Sequence, residues 1–229
     1  MGSNIELEHV HVQRAGEASS RAQSLESFYG RTGKRALDLA IVVPVLVVIS
    51  PLILVLALAV MASSGWPPFY GSVRMGRNGP FRMWKLRTMV RDADHVLERW
   101  RREHPDLAAS YEQDFKLADD PRVTRLGRWL RRTSLDELPQ LWNVLTGQMS
   151  LVGPRPINHA ELAKYGENAA DLLSVRPGVT GRWQVSGRSR ITYPERTNVE
   201  LSYVDDVGFF EDCRLLYRTA AALFRGEGV

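Results

Sequence analysis

The chain has 229 residues, with 30 Lys and Arg against 26 Asp and Glu and a single cysteine. This length suffices for one well-buried domain with an appendage, and the modest excess of positive charge does not by itself indicate a nucleic-acid partner. A lone cysteine excludes a disulfide framework within the chain and is typical of a reducing compartment. The sequence has no phosphate-loop signature, zinc-ligand spacing or internal repeat, which excludes several common enzyme classes.

The first part of the chain divides into a polar extension and an apolar segment. Residues 1–30 lack the charged-then-apolar pattern of a signal peptide, so we expect a loosely attached extension. Residues 39–62 are apolar apart from Ser50. At helical rise they reach about 36 Å, enough to cross a hydrocarbon core of about 30 Å. A spanning helix is therefore one interpretation.

A re-entrant membrane segment over residues 31–65 is the interpretation that the flanking charges favour. Three basic residues lie within residues 31–35, and six basic residues with no acidic one lie within residues 66–91. Cytoplasmic ends carry such an excess of Lys and Arg, so both ends are expected on the same side. Ser50 and Pro51 predict a break, because proline removes a backbone donor and the preceding hydroxyl can satisfy the freed carbonyl.

Residues 66–229 are predicted to form one catalytic domain, which begins with a hairpin or two short strands. A turn signal at residues 77–80 separates the apolar stretches 69–73 and 81–86. Lys85 and Arg87 alternate and so share one face of an extended segment, which either meets a phosphate or forms an exposed basic edge. Amphipathic helices are predicted over residues 90–103 and 107–117, in the core or at the membrane surface.

Two adjacent carboxylates, Asp136 and Glu137, lie in the most distinctive stretch of the chain, residues 126–156. One interpretation is a helix cap, because Ser134 with Glu137 three residues later has the spacing of a capping box. Pro139 weakens that interpretation as a full explanation, since it would lie one turn inside the helix and strain the corner.

Basic residues surround this carboxylate pair. Arg155 follows it between two prolines that restrict its backbone. Crowded cations are expected to lower the pKa of a carboxyl group and to supply donors for phosphate oxygens, so the constellation favours phosphoryl chemistry over a cap. The arginines that precede the pair are Arg122, Arg125, Arg128, Arg131 and Arg132.

Further along, residues 176–181 predict a turn, Trp183–Val185 a short strand, and residues 186–188 a loop whose Arg188 could contact a nucleotide or sugar. With these residues in place, residues 34–224 resemble the bacterial sugar transferase family, the monotopic phosphoglycosyl transferases that start polyprenyl-linked glycan assembly. The motifs that carry the resemblance are Ser50-Pro51, Lys85-Leu86-Arg87-Thr88-Met89, Thr133 to Gln140, Gly153-Pro154-Arg155-Pro156, Arg176-Pro177-Gly178 and Trp183 to Arg188.

The resemblance implies a predominantly helical α/β fold. It comprises a re-entrant helix in the cytoplasmic leaflet of the bacterial inner membrane and a small catalytic domain with interfacial amphipathic helices and a short hairpin. It also implies a short form of the family, without the additional spanning helices of longer relatives. The resemblance does not determine the oligomeric state, and a homo-oligomer is one possibility.

The resemblance also implies a reaction. A UDP-sugar gives its sugar-1-phosphate to undecaprenyl or another polyprenyl phosphate, with Asp136 as the nucleophile, Glu137 as its partner and Mg²⁺ bound by both. The version of the motif at residues 183–188 is most similar to that of members that handle glucose or galactose. Glu200 stands where members commonly carry Asp, so a metal role is not carried over to it. The substrate-binding residues implied are Lys85, Arg87, Arg132, Arg155, Gln184 and Arg188.

A function from another class remains open at this point. The same charges would suit a non-catalytic module, anchored in the membrane, that binds anionic lipid or a partner through its basic face. Both interpretations predict membrane association, and they differ in whether Asp136 reacts.

Overall fold

The structure is a computed structural model, and it describes residues 29–104, 120–187, 191 and 193–225. Most of the predicted N-terminal extension, the predicted helix at residues 107–117 and Arg188 lie outside the described residues. The described part is mostly helical with a short hairpin, as predicted, and it contains a second, parallel pair of strands that the sequence analysis did not predict.

The elements follow in chain order. The helices are α1 (Lys34–Ser64), α2 (Ala93–Glu103), α3 (Arg125–Arg132), α4 (Gln140–Leu145), α5 (His159–Leu162), α6 (Ala169–Leu173), α7 (Arg182–Val185), α8 (Glu195–Asp205) and α9 (Phe209–Phe224). The strands are β1 (Phe69–Gly76), β2 (Gly79–Leu86), β3 (Ser150–Val152) and β4 (Gly178–Thr180). Short turns of other helix types cover Tyr29–Gly33, Leu135–Glu137 and Ala163–Asn168.

Helix α1 is the long apolar segment, and by length and composition it could cross a membrane. It continues through Pro44 and Pro51. The Ser50 hydroxyl donates a hydrogen bond of 3.0 Å to the Val47 carbonyl, the group that the ring of Pro51 leaves without its helical donor. The structure therefore has one helix where the sequence predicts two segments separated at Ser50 and Pro51, and the re-entrant course stays a prediction.

Polar side chains attach the first turns of α1 to the globular part of the chain. The Lys34 ammonium lies 2.5 Å from the Asp212 carboxylate, and both side chains are buried. Arg35 donates to the Val144 and Leu145 carbonyls at the end of α4. Asp38 accepts hydrogen bonds from the Leu151 amide and the Ser150 hydroxyl. These contacts give partners to Lys34, Arg35 and Asp38 Oδ1, which would be costly to bury alone, whereas the buried Asp38 Oδ2 has no hydrogen-bond partner among the described residues.

The two halves of α1 join different apolar clusters of the same globular part. Val42 packs in a core with Met149, Val152 and other residues near β3, whereas Leu56 and Val60 pack with residues of β2 and α3. The outward-facing side chains between them are uncovered; Val47 and Val48, for example, are 70% and 76% exposed. Only one stripe of the helix is therefore buried against protein.

Strands β1 and β2 form an antiparallel hairpin that runs from the pair Phe69 and Leu86 to the pair Gly76 and Gly79. This confirms the predicted hairpin, with longer strands than the sequence suggests. Phe81 and Met83 anchor its inner face in the core. Because alternate residues of a strand project to the same face, Lys85 lies on that inner face with Phe81 and Met83, at the open end of the hairpin.

Strands β3 and β4 form a parallel pair that supports the Gly153-Pro154-Arg155-Pro156 turn. A side chain at Gly153 would place its Cβ 2.4 Å from the Arg176 carbonyl, so only glycine permits this close approach. The predicted strand at Trp183–Val185 is wrong, because β4 ends at Thr180 and those residues belong to α7. Three residues of alternating polarity do not distinguish a strand from one helical turn.

Gly127 provides a test of how α3 is seated. A Cβ at this position would lie 2.0 Å from the Thr88 carbonyl oxygen, whereas one at Gly208 would meet its nearest atom at 3.7 Å. We expect Gly127→Ala to lower the free energy of unfolding by about 3 kcal/mol, because the added carbon meets backbone that cannot move aside. Gly208→Ala serves as the control. Equal unfolding transitions for both variants would contradict the close packing of α3 on Thr88.

Candidate active site

A cleft of about 1040 Å³ lies between the hairpin and the turns that carry the two carboxylates and Arg155. The sequence-predicted residues that it brings together are Lys85, Arg87, Asp136, Glu137 and Arg155. Arg74, Thr88, Arg91, Arg122 and Arg131 also line it. Asp94 is the remaining acidic residue of the lining, so the cleft is strongly basic around the pair of Asp136 and Glu137.

The carboxylates lie on a tight turn that the local sequence forces. Ser134 adopts a left-handed conformation with φ of 56°, and Leu135–Glu137 follow as a single turn of 3₁₀ helix. Pro139 then immediately precedes α4. Ser134 makes no side-chain cap in this turn, so the capping-box interpretation is wrong. A non-glycine residue in this backbone region is uncommon, and such strain is often found at functional sites.

Lys85 connects the hairpin to both carboxylates. Its Nζ lies 2.5 Å from Glu137 Oε1 and 4.0 Å from Asp136 Oδ2. Glu137 is partly exposed, whereas Asp136 is only 6% exposed. Lys85 therefore pairs most closely with Glu137, and Asp136 lies behind the pair at the edge of the cleft.

The expected effect of the cations on Asp136 is wrong in direction. Burial raises the pKa of Asp136 and the neighbouring Glu137 charge adds to the rise, while Lys85 and Arg131 oppose it. Removal from water penalises the charged carboxylate more than these two cations stabilise it. The nearby arginines of the sequence do not all reach Asp136, which is why counting them overestimates their effect.

Arg131, rather than the predicted Arg132, is the α3 arginine of the cleft. Its Nε donates a hydrogen bond of 2.9 Å to the Thr88 hydroxyl, and its charge acts on Asp136. Arg132 is exposed and is not among the residues that line the cleft. Adjacent helical residues differ in direction by about 100°, so sequence clustering alone could not choose between the two.

A stack of cations and an aromatic ring supports Arg155. The guanidinium of Arg155 lies 5.2 Å from the Trp183 ring centre, and that of Arg196 lies 4.3 Å from the same ring. The Trp183 indole nitrogen donates to the Ile191 carbonyl. Planar guanidinium groups stack favourably on aromatic rings, so Trp183 helps to hold Arg155 toward the cleft.

Glu200 positions the backbone of the turn that carries Arg155. It is 1% exposed and accepts hydrogen bonds from the Arg155 backbone amide at 2.7 Å and from Arg196 Nε at 3.3 Å. Burial raises the pKa of Glu200 to about 7, against the lowering effect of Arg196 and the Arg155 amide. Glu200 does not line the cleft. The longer side chain noted in the sequence thus serves backbone positioning.

The remaining predicted residues are more peripheral. Arg87 lines the cleft, and its NH1 lies 3.5 Å from the Trp66 carbonyl. Gln184 is buried in α7 and is not a lining residue. The structure does not describe Arg188.

The donor set fits Mg²⁺ only when substrate completes it. Within residues 29–104, 120–187, 191 and 193–225, no group of three or more His, Cys, Asp or Glu could hold a metal ion. Asp136 and Glu137 are adjacent carboxylates at the cleft. Mg²⁺ is commonly bound by one or two carboxylates together with water and substrate phosphates, so this pair is adequate for a metal that arrives with a diphosphate.

The profile of the family described as "Bacterial sugar transferase" matches residues 29–226. The chain belongs to this family. The "UDP-galactose-lipid carrier transferase" of Erwinia amylovora is 39% identical over 208 residues, which cover 90% of this chain and 43% of that protein. The "Undecaprenyl-phosphate galactose phosphotransferase" of Salmonella typhimurium is 43% identical over 196 residues, or 85% of this chain and 41% of the relative.

A third relative is similar to this chain over most of its own length. The "Exopolysaccharide production protein ExoY" of Rhizobium meliloti is 41% identical over 200 residues, which cover 87% of this chain and 88% of that protein. The chain thus spans less than half of the length of the Erwinia and Salmonella proteins and most of the length of the Rhizobium protein.

The titration of Glu200 yields a prediction for stability. The pKa of this group is about 7 in the folded chain, against an ordinary value of 4.5. Between these values the folded state holds a proton that the unfolded state has lost, so the free energy of unfolding falls as pH rises through this range. We expect Glu200→Gln to remove a decline of up to about 3 kcal/mol, since one pKa unit corresponds to about 1.4 kcal/mol.

Denaturant unfolding in detergent between pH 4.5 and 7.5 measures this effect as the difference between the wild type and Glu200→Gln. Glu167→Gln, which changes an exposed carboxylate, is the control for altered net charge. Parallel pH profiles for the wild type and Glu200→Gln would show that Glu200 does not titrate in this range.

Proposed function

We propose that this protein transfers a sugar-1-phosphate from a UDP-sugar to polyprenyl phosphate through a covalent intermediate on Asp136. The observation that carries the proposal is one basic cleft that joins the Asp136 and Glu137 pair to Lys85, Arg131 and Arg155. This arrangement offers a carboxylate nucleophile and cations that can neutralise two phosphate-bearing substrates.

In the first step a carboxylate oxygen of Asp136 attacks the phosphorus that carries the sugar. A bond forms between that oxygen and phosphorus, and the bond from phosphorus to the bridging oxygen of the diphosphate breaks. UMP leaves with the electron pair of the broken bond. The sugar phosphate is then held on Asp136 as an acyl phosphate.

In the second step a phosphate oxygen of polyprenyl phosphate attacks the same phosphorus. The bond to Asp136 breaks and the carboxylate is regenerated, which leaves a polyprenyl diphosphate sugar. Two displacements at one phosphorus divide a transfer between anions into steps that the same cations can assist.

The cleft residues have separate parts in this scheme. Lys85 orients Glu137 and favours the ionised form of Asp136, which burial disfavours. Arg131 and Arg155 supply donors that match phosphate oxygens. Glu200 and Trp183 are positioning residues, since they act through Arg155.

We include Mg²⁺ in the proposal, and Asp136 and Glu137 are the residues that would hold it. Such an ion would neutralise part of the negative charge of the diphosphate. The substrate would have to loosen the close contact between Lys85 and Glu137, which lies at 2.5 Å.

Glucose or galactose is the proposed sugar. The residues Trp183 to Arg188 have the form of the motif that suggests these hexoses. The names printed for the Erwinia and Salmonella relatives contain galactose, and that of the Rhizobium relative refers to exopolysaccharide production. We propose that the product initiates the assembly of an exopolysaccharide, capsule or O-antigen glycan.

The uncovered apolar surface of α1 supports membrane association. A helix that is apolar on all sides but buried on only one stripe needs a further apolar environment. We propose the cytoplasmic face of the bacterial inner membrane, with a re-entrant α1. Both the Lys34 end and the Leu56 to Val60 part of α1 contact the same globular part, which supports a location of both ends on one side of the membrane.

The nucleophile is tested by Asp136→Asn. We expect this variant to lose at least about a thousandfold in UMP release from a UDP-sugar in the presence of Mg²⁺ and undecaprenyl phosphate, because the amide oxygen cannot replace the carboxylate nucleophile. The assay is run in detergent over a panel of UDP-sugars. Asp206→Asn is a matched control, since its side chain is 60% exposed and pairs with Arg182.

Retention of UMP release by Asp136→Asn would contradict the covalent scheme. If the wild-type protein releases no UMP from any UDP-sugar, the proposed reaction fails, and the non-catalytic lipid-binding or partner-binding interpretation is favoured instead.

The re-entrant course is tested by cysteine labelling in a Cys213→Ser background. Single cysteines at Thr32 and Arg77 lie before and after α1, both outside its apolar span. We expect a membrane-impermeant maleimide to label both from the same side of sealed inner-membrane vesicles, since both segments border the same globular part. Labelling from opposite sides would establish a spanning helix.

A further inference from the structure

Arg74 of β1 is a cleft residue that none of the motifs singled out. It lines the cleft on the same face of the hairpin as Lys85, because Lys85 pairs with Tyr70 and Arg74 follows Tyr70 by four residues in the same strand. Four residues of strand separate the two backbone positions by about 13 Å. Arg74 is therefore well placed to serve a part of the cleft beyond Lys85.

The backbone brings Arg74 to Arg155. The Met75 amide donates a hydrogen bond of 2.8 Å to the Ile157 carbonyl, which joins β1 to the segment after the Pro-Arg-Pro turn. Arg74 directly precedes Met75, Arg155 lies two residues before Ile157, and both arginines line the cleft. The junction therefore places Arg74 and Arg155 in the same part of the cleft, where the Arg155 charge acts on Arg74.

Arg74 has an unused donor. Among the described residues, no acceptor lies within hydrogen-bond distance of its buried Nε. Burial lowers the pKa of Arg74, Glu161 opposes this, and the Arg155 charge lowers the pKa further. A partly buried guanidinium beside a second one is unfavourable unless an anion joins them.

Glu161 is the acidic residue whose charge raises the pKa of Arg74, but its carboxylate oxygens contact other groups. Its Oε2 accepts from the Asn158 amide at 3.0 Å in a capping box, and its Oε1 lies 3.9 Å from Arg196 NH1. In the described part of the chain, no ion pair within 4.0 Å joins Arg74 to a carboxylate. An external anion is thus the natural partner for Arg74 and Arg155.

We propose that Arg74 and Arg155 together bind a phosphate group in the part of the cleft beyond Lys85. The proposal rests on the proposed function for the origin of that phosphate, which belongs either to the nucleotide or to the polyprenyl chain. Lys85 lies 4.0 Å from Asp136, whereas Arg74 lies four residues further along the hairpin, next to the backbone bond between Met75 and Ile157. Arg74 therefore serves binding in the proposal, and Lys85 is the cation beside the attacking group.

The proposal is tested by equilibrium binding, which requires no turnover. Arg74→Gln removes the charge but keeps the length of the side chain, and Arg82→Gln is the matched control. Arg82 is an exposed arginine of β2 paired with Val73, so it lies on the opposite face of the hairpin, and it does not line the cleft. The full chain in detergent is titrated with UDP, with undecaprenyl phosphate and with inorganic pyrophosphate.

We expect Arg74→Gln to weaken binding of at least one probe by about 10- to 100-fold, since hydrogen bonds to charged groups have this strength. Arg82→Gln should bind like the wild type. A loss confined to UDP assigns the phosphate to the nucleotide, and a loss confined to undecaprenyl phosphate assigns it to the lipid. A loss for both UDP and undecaprenyl phosphate supports one anion site that accepts either phosphate, whereas a loss confined to pyrophosphate would contradict a role of Arg74 in binding either substrate.

Arg74→Lys, which keeps the charge without the planar fork, should recover part of the affinity and excludes a mere failure to fold. Equal affinities of the wild type and Arg74→Gln for every probe would overturn the proposal, as would a wild type that binds none of them. Failure of the proposed function is a separate result. In that case the wild type releases no UMP, while anion binding still depends on Arg74.

Discussion

The contact of Lys85 with the Asp136 and Glu137 pair is the interaction on which the site depends. It joins the open end of the hairpin to a turn that is formed by residues fifty positions later. An ammonium group 2.5 Å from Glu137 and 4.0 Å from Asp136 offsets the repulsion between the two carboxylates. The same contact defines one wall of the cleft, so the geometry of the hairpin and that of the reacting group are coupled.

A second set of contacts, made by Glu200, Trp183 and Arg196, holds Arg155 in place. The Arg155 backbone amide donates a hydrogen bond to Glu200. The Arg155 guanidinium lies over the Trp183 ring, which also contacts the Arg196 guanidinium. The close approach of Gly153 to the segment after Val175 leaves the turn little freedom. Preorganised donors of this kind need little rearrangement when an anion binds, which is the usual source of electrostatic catalysis.

Helix α1 packs directly against the elements that form this site. Its first turns are bound by Asp212 and by the carbonyls of α4, the helix that follows the carboxylate turn. Its second half packs on β2 and α3, which carry Lys85 and Arg131. An apolar surface suited to lipid and a cleft suited to phosphate are therefore parts of one packed unit, as a lipid phosphate substrate would require.

The sequence by itself determined the long apolar helix, the hairpin and five of the residues that line the cleft. These features depend on local rules: apolar length, turn residues, and carboxylates next to arginines and prolines. Asp136, Glu137, Lys85, Arg87 and Arg155 all reach one cleft, as predicted. The family resemblance was also readable from motifs, because such motifs are contiguous in the chain.

Only the tertiary structure decided which cations act on which group. Arg131 replaces Arg132, and Arg74 joins Arg155, because helix rotation and strand register determine where each side chain points. Glu200 became a buried support, and the pKa of Asp136 rises instead of falling. Burial and distance set these outcomes, and both depend on residues far apart in the chain, so no local pattern contains them.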